Sequence, residues 1–396
     1  MCYGYLTWIN CVGVLMQPVH ERAQRAYDLM RFLIELFQHQ CELATLQCAW
    51  RLFLFCATRA LDFDTRVSSF QDLAPVAGVF QDALVSTLQK FLCVTQLTDV
   101  QVRCAFLPIS MGGLGIPCLT INHPAAFISS KCIVYPGVIK LLLSIQWSPA
   151  RAQRWISDIV VQPALNALSR CGLFLDGRLI PQTGNSRTVI DWPQIVCPPK
   201  LYASMVTLFH QHVHSQLLDT YSSAHRARLL SCGGPTAGLW LTAALDRAST
   251  RFSNDQFLRA LRLRLGVPQF APWAQCQLKC KKNDNICNHL LDSMGIHAMS
   301  CRSGNGVLRI HRAVLELVAR ACQTAGLFTQ CEASVPQFAQ WTYDPTNGTW
   351  SCVEGILDVV AQNLSTGDHF CIDVTIRNPS VSKYLEGVRN ASNVAG

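Results

Sequence analysis

The sequence predicts a chain that is mostly α-helical through residues 1–270, then a small Cys/His metal knuckle, then an α/β segment over residues 300–380. Three observations predict this. Apolar residues recur at three- and four-residue spacing through the first two thirds of the chain. Cysteine and histidine crowd between Cys276 and Cys301 within a basic neighbourhood. A long amphipathic run then gives way to short stretches rich in β-branched residues, separated by Gly, Asp and Asn.

In chain order, residues 21–62 read as helical, with Leu29, Phe32, Leu33, Leu36 and Phe37 on one face and Glu21, Arg22, Arg25 and Arg31 on others. A second helix within that range covers about 43–58. Two more follow at about 76–92 and 99–106. The string LPISMGGLGIP at 107–117 is turn-rich punctuation; its glycines follow no strand and precede no Lys-Ser/Thr, so they form a tight turn and not a phosphate loop. Helix returns over 120–175, as at 138–145 and 150–168. Residues 176–199 cluster Gly, Pro, Asn and Ser without a period and read as a linker. Helices resume at 200–218 and 223–230, break at SCGGPTAG (231–238), and continue over 239–265. Ser253 is the expected N-cap and Gly266 the stop. Past the knuckle, 307–325 is a helix with Gly326 as its cap. Stretches 328–335, 353–363 and 369–376 are strands.

Half of the 396 residues are hydrophobic and 15% are charged, so a sizeable core is available and long disorder is not expected. The net charge is +8, and its placement matters more than its size: residues 251–320 hold 11 Lys/Arg against 4 Asp/Glu. Such an excess beside metal ligands suits a polyanionic partner. The 20 cysteines are scattered in apolar context through a long chain, unlike a small disulfide scaffold, and read as reduced, buried thiols of an intracellular protein. The apolar N-terminus has no basic leader or small-residue cleavage pattern, and no uninterrupted apolar run reaches membrane-spanning length, so no membrane partner is expected. The three Asn-x-Ser/Thr strings carry meaning only in a secreted protein. The sequence opens in an apolar segment and ends soon after a strand-like motif, the pattern of a truncated fragment.

Zinc takes four Cys or His donors in a tetrahedron, and a short segment supplies them as close pairs. Cys280, Cys287, His297 and Cys301 form such pairs at C-x6-C-x9-H-x3-C, with Cys276 able to replace Cys287 by pairing with Cys280 at C-x3-C. Lys279, Lys281 and Lys282 would favour ionised thiols and contact phosphate. A second constellation is carboxylate. Asp358 and Asp373 sit in β-favouring runs with 14 residues between them, enough for a hairpin turning at 365–368. Pairing would bring both within reach of one Mg²⁺, and Glu316 on the preceding helix could add an oxygen ligand. His210, His212 and His214 in H-x-H-x-H read as surface or satisfied histidines, and Trp240, Trp273 and Trp341 as packing residues that could also stack on bases.

The order of these features resembles the C-terminal part of site-specific non-LTR retrotransposon proteins: a Cys/His knuckle, Arg309-x-His311 opening a helix, Gly326-Leu327, an aspartate motif, then IDVTIR. Upstream, VGVLMQPVHERAQRA, CATRALDFDTRV, LPISMGGLGI, HPAAFISS, GLWLTAALDR and FLRALRLRLGVP are similar, in order, to the region after the palm and the helical thumb and linker of such elements. The resemblance implies a thumb-like region at 1–118 after a missing palm and a helical linker at 119–270. It further implies a structural-zinc knuckle at 271–305 and a restriction-like PD-(D/E)xK endonuclease at 306–396, truncated at its C-terminus. Asp358 and Asp373 would then bind Mg²⁺ and nick target DNA to prime reverse transcription. Arg262, Arg264, Lys281, Lys282 and Arg309 would face DNA or RNA phosphate, and the protein would act in the nucleus. Leu357 stands where that family has Pro, and Thr375 where it has the motif lysine. No F/Y-x-D-D motif occurs, so polymerisation is not expected, nor is a small-molecule substrate. Two alternatives use the same residues: a nucleic-acid-binding module with a dead nuclease, and a non-functional retroelement relic.

Overall fold

A computed structural model of the chain describes residues 19–35, 45–155, 161–171, 174–175, 178–179, 200–245, 251–279, 285–301, 303 and 306–376. The chain divides into two compact units, one running to Val267 and the other from Pro268 to Tyr384.

The first unit is helical. It comprises α1 (19–35), α2 (Leu46–Leu52), α3 (Asp64–Val67), α4 (Phe70–Phe91), α5 (Asp99–Ala105), α6 (Leu119–Ser144), α7 (Pro149–Arg154) and α8 (Gln162–Arg170). A two-residue pair, β1 (Phe174–Leu175) and β2 (Arg178–Leu179), precedes α9 (Leu201–Thr220), α10 (Ser223–Ser231) and α11 (Asn254–Leu265). The start of the predicted 43–58 helix lies outside the described residues, and its last turn, Phe53–Ala57, is a π-helix. Apart from β1 and β2, the predicted linker at 176–199 also lies outside the described residues.

One hydrophobic core runs from Val19 to Val267, across the expected boundary at 118. It closes by joining the two ends of the unit. Trp50 and Phe53 are fully buried and meet Phe91 at ring-centroid distances of 6.0 and 5.4 Å, while Trp50 reaches Phe257 of α11 at 6.5 Å. The Leu46 N–H donates to Asn254 Oδ1 at 2.7 Å, and the Phe252 N–H donates to Gln47 Oε1 at 3.0 Å. Asn254 thus caps α2 from a position about two hundred residues away. At α11 the N-terminal expectation holds: Ser253 and Gln256 form a reciprocal capping box, and Gly266 closes the helix in the left-handed region at φ +71°. The helix expected over 239–265 is only partly present. Leu239–Leu241 is one 3-10 turn and helix resumes at Asn254.

The α6 helix spans 26 residues and is apolar and long enough to cross a membrane by length and composition, which a search for uninterrupted apolar runs passes over. Its N-terminal part, including Ile121, His123, Phe127 and Ile128, is buried within the unit.

The second unit holds a Cys/His hairpin over 275–290, α12 (Ile296–Ser300), α13 (Gly306–Thr324) and five strands. These are β3 (Phe328–Ser334), β4 (Gln340–Asp344), β5 (Thr349–Val353), β6 (Ile356–Gln362) and β7 (His369–Ile372). The sheet order is β3–β6–β7, antiparallel throughout, and β4–β5 is a separate hairpin. Leu315, Val318 and Ala319, one stripe of α13, pack on Val359 and Ile372. The predicted strand over 353–363 is β6, which starts later, at Ile356, because Glu354-Gly355 separates it from the last residue of β5, Val353. The β4–β5 hairpin was not foreseen. Its signal is Asp344-Pro345-Thr346-Asn347-Gly348: Asp344 Oδ1 accepts from Thr346 N at 2.9 Å, and Gly348 takes φ +64°.

Candidate metal centre

The hairpin is built from backbone bonds. Cys276 N–H donates to His289 O at 2.8 Å, Cys287 N–H to Leu278 O at 3.0 Å, and Asn288 N–H to Cys276 O at 3.0 Å. Asn288 stands in the left-handed region at φ +51°, which asparagine tolerates better than other side chains. This kink follows directly after Cys287. The other two donors come from α12, whose start Asp292 fixes: its carboxylate oxygens accept from Ile296 N at 2.8 Å and His297 N at 2.7 Å. His297 and Cys301 are four residues apart at this helix, so they share one side of a single turn.

Cys276, Cys287, His297 and Cys301 consequently converge, with one ligand atom from each lying within 4.8 Å of all the others. Two edges of the cluster fit a zinc tetrahedron. With Zn–S of about 2.3 Å and Zn–N of about 2.0–2.1 Å, a sulfur–sulfur edge is about 3.8 Å and a sulfur–nitrogen edge about 3.6 Å. Cys276 Sγ and Cys301 Sγ are 3.7 Å apart, and Cys287 Sγ and His297 Nε2 are 3.5 Å apart. The sulfurs are free thiols, well beyond the disulfide length of about 2.05 Å. The His289 backbone N–H pulls the Cys287 thiol below its ordinary pKa, whereas burial pushes Cys276 up. The donor set, the spacing and the N–H···S support suit Zn²⁺, a thiolate-preferring ion, better than Mg²⁺ or Ca²⁺.

Cys287, His297 and Cys301 are thus brought together as the spacing suggested. Cys276 joins them where Cys280 was expected; Cys280, Lys281 and Lys282 lie outside the described residues. The spacing offers Cys276 only in place of Cys287; the hairpin brings both to the cluster.

The carboxylates occupy the sheet end. The β6–β7 ladder ends at the pair Val359–Ile372, so Asp358 and Asp373 are each the next residue beyond its last pair. The turn is built by Asn363 and Asp368, with Asn363 N–H donating to Asp368 O at 2.9 Å and Gly367 at φ +78°. Asp358 is mostly enclosed, and its Oδ2 accepts the Val374 N–H at 2.6 Å and lies 3.2 Å from His311 Nε2. Asp373 is exposed. Glu316 is exposed on α13 and pairs with Arg312 at 3.5 Å, one position off the stripe that carries Leu315 to the sheet. Among the described residues, Asp358, Asp373 and Glu316 do not form a three-ligand metal group; the Cys/His cluster does. His311, which no spacing rule had marked as a partner of Asp358, is the residue that α13 does deliver there.

The expected phosphate contacts divide. Arg309 is exposed on α13, and Arg262 is half-buried on α11. Arg264 corrects the expectation: it is 3% exposed. Its Nε donates to Gly113 O at 2.8 Å, and its terminal nitrogens donate to Ile109 O at 2.6 Å and Ala237 O at 3.2 Å. A buried side chain that donates to three carbonyls is not presented to phosphate. It clamps the 107–117 turn, where a Cβ on Gly113 would sit 2.1 Å from Leu107 O. No protein-family profile matches this chain, and comparison with curated proteins finds no match.

Proposed function

We propose that the chain is a nucleic-acid-binding protein whose second unit is ordered by a structural zinc ion, of the kind found beside the nuclease of non-LTR retrotransposon proteins. The convergence of Cys276, Cys287, His297 and Cys301 at tetrahedral edge lengths carries this reading. Zinc would fix the hairpin and α12, and Lys279 on the hairpin and Arg309 on α13 are exposed cations for phosphate. The basic stretch 251–320 and the order of motifs support the same partner class, DNA or RNA.

A second reading, Mg²⁺-dependent DNA nicking, is favoured by the register that leaves Asp358 and Asp373 each next beyond the last pair of the β6–β7 ladder. The pair would hold a cation between two strand ends. One experiment addresses both readings. The purified chain is assayed for zinc content, for salt-dependent binding to single- and double-stranded oligonucleotides, and for relaxation of supercoiled plasmid with Mg²⁺. Binding reads as a steep loss of affinity with rising salt. Nicking abolished by Asp358→Asn or Asp373→Asn establishes the nuclease; binding without nicking leaves the module alone. A chain holding under about one zinc per molecule with no salt-sensitive binding refutes the proposal.

A further inference from the structure

The first unit contains a cavity of about 520 Å³, a volume within the range of small-ligand sites. Five helices contribute to its lining, among them α5 with Arg103, the C-terminal end of α8 with Arg170, and α9 with Phe209, His210 and Gln216. The two guanidiniums stand out. Among the described residues neither is joined to a carboxylate by a salt bridge: Arg103 donates to the Gln216 amide oxygen, and Arg170 donates to Asn166 O of its own helix at 3.4 Å. Asp99 is the one carboxylate in the lining, so the walls carry net positive charge. Gln216 is held in turn, with its Nε2 2.7 Å from His212 Nε2, so the Arg103 fork is oriented before any ligand arrives.

The rest of the lining is apolar or neutral. Phe106 and Phe209 supply aromatic surface, and Leu107 and Val213 the aliphatic remainder. His210 touches Phe209 at a ring-centroid distance of 5.8 Å, and burial pulls its pKa to about 4, so its ring is an uncharged donor and acceptor at neutral pH. Two guanidiniums without a carboxylate partner among the described residues match an anion of phosphate geometry, and the aromatic walls match a planar body attached to it.

We propose that this cavity binds a nucleoside monophosphate, with phosphate on Arg103 and Arg170 and the base against Phe106 and Phe209. The same chemistry is offered by a free mononucleotide and by the 5′-phosphorylated end of a strand. The inference stands apart from the zinc module, since every residue it uses belongs to the helical unit.

The test is calorimetric titration of the full chain with AMP, adenosine and inorganic phosphate, and competition of AMP by 5′-phosphorylated and 5′-hydroxyl oligonucleotides. AMP is expected to bind saturably and at least tenfold more tightly than adenosine or phosphate. Arg103→Gln and Arg170→Gln are each expected to weaken AMP at least tenfold; Arg170 is exposed, so its variant folds even where the Arg103 variant does not. Competition by the 5′-phosphorylated strand alone assigns the ligand to a strand end, and competition by neither strand assigns it to the free nucleotide. No AMP binding by the wild-type chain, phosphate binding as tight as AMP, or unchanged AMP affinity in Arg170→Gln overturns the proposal.

Discussion

His311 Nε2 lies 3.2 Å from Asp358 Oδ2 and 2.9 Å from the carbonyl oxygen of Val374. Both neighbours are acceptors, so this nitrogen carries the proton, and one N–H is shared between them. Asp358 Oδ2 also takes the Val374 N–H, so one histidine and one aspartate tie α13 to the chain leaving β7. The tie leaves Asp358 Oδ1 as the oxygen available to a cation. A hydrogen bond to a charged partner contributes about 1.5–3 kcal/mol. His311→Leu is therefore expected to lower the stability of the second unit by about that amount. His311→Gln, whose Nε2 donates from a similar reach, is expected to retain most of it. Urea unfolding of the full chain measures both; equal losses in the two variants would show that packing and not the donor matters.

Arg264 makes the opposite case to Arg309. Arg264→Met would strand the Gly113 carbonyl in a buried setting, at a cost of about 1–3 kcal/mol when unsatisfied, and would remove the part-buried bonds to Ile109 and Ala237. The expected result is a loss of about 3 kcal/mol or more in the first unit, seen as a lower midpoint of thermal unfolding. Arg309→Gln, on an exposed helix face, is expected to leave stability unchanged and to reduce the salt dependence of nucleic-acid binding by about one phosphate contact. A stable Arg264→Met chain with reduced salt dependence would restore Arg264 to phosphate recognition.

His123 makes the first unit sensitive to acid. It is 2% exposed, lies against Phe70 at a ring-centroid distance of 4.8 Å, and its Nε2 has no hydrogen-bond partner among the described residues. Burial pulls its pKa from 6.5 to about 4. The unfolded chain therefore binds the extra proton between these values, and the folded chain does not. Stability from this group is complete above about pH 6.5 and is lost as pH falls toward 4. The loss is on the order of 3 kcal/mol. His123→Phe, which keeps an aromatic ring beside Phe70, is expected to flatten the unfolding free energy across pH 4–6.5. An unchanged pH slope would assign the acid sensitivity to other groups, His210 among them.

What could be read from the sequence was what local chemistry specifies. Ser253 with Gln256, Gly266 and the amphipathic stripe of α13 each declare themselves within one or two helical turns, and the structure follows them. The Asp358–Asp373 hairpin was legible because β-branched runs flank a turn. What escaped depends on tertiary closure. Arg264 looks like any cation on a basic helix until the 107–117 turn folds beneath it. Asn254 capping α2, and His311 meeting Asp358, are contacts whose partners are 208 and 47 residues away. The β4–β5 hairpin is the exception, a local signal that was present: Gln340–Asp344 alternates polar with apolar, as does Thr349–Cys352, on either side of an Asn347-Gly348 turn.

The metal centre unites two cysteines that the spacing offered as alternatives, Cys276 and Cys287. Cys276 Sγ lies at a tetrahedral edge length from Cys301 Sγ, and Cys287 Sγ at one from His297 Nε2. These four donors would complete the coordination of a zinc ion and leave no position for a fifth ligand in a closed structural site. Cys276→Ser is accordingly expected to release the metal and to loosen the 275–301 segment, because the ligands join the short hairpin to the five-residue α12, with the stacking of His289 on His297 at 4.4 Å as a further contact. Cys280→Ser is expected to retain one zinc per chain. Metal content after dialysis against a mild chelator measures the difference, and cobalt substitution reports the ligand set through its thiolate charge-transfer band. Zinc retained by Cys276→Ser and lost from Cys280→Ser would move the fourth ligand to Cys280. Chelation of the wild-type chain should reproduce the Cys276→Ser result and leave the helical unit folded, since none of the four donors belongs to that unit.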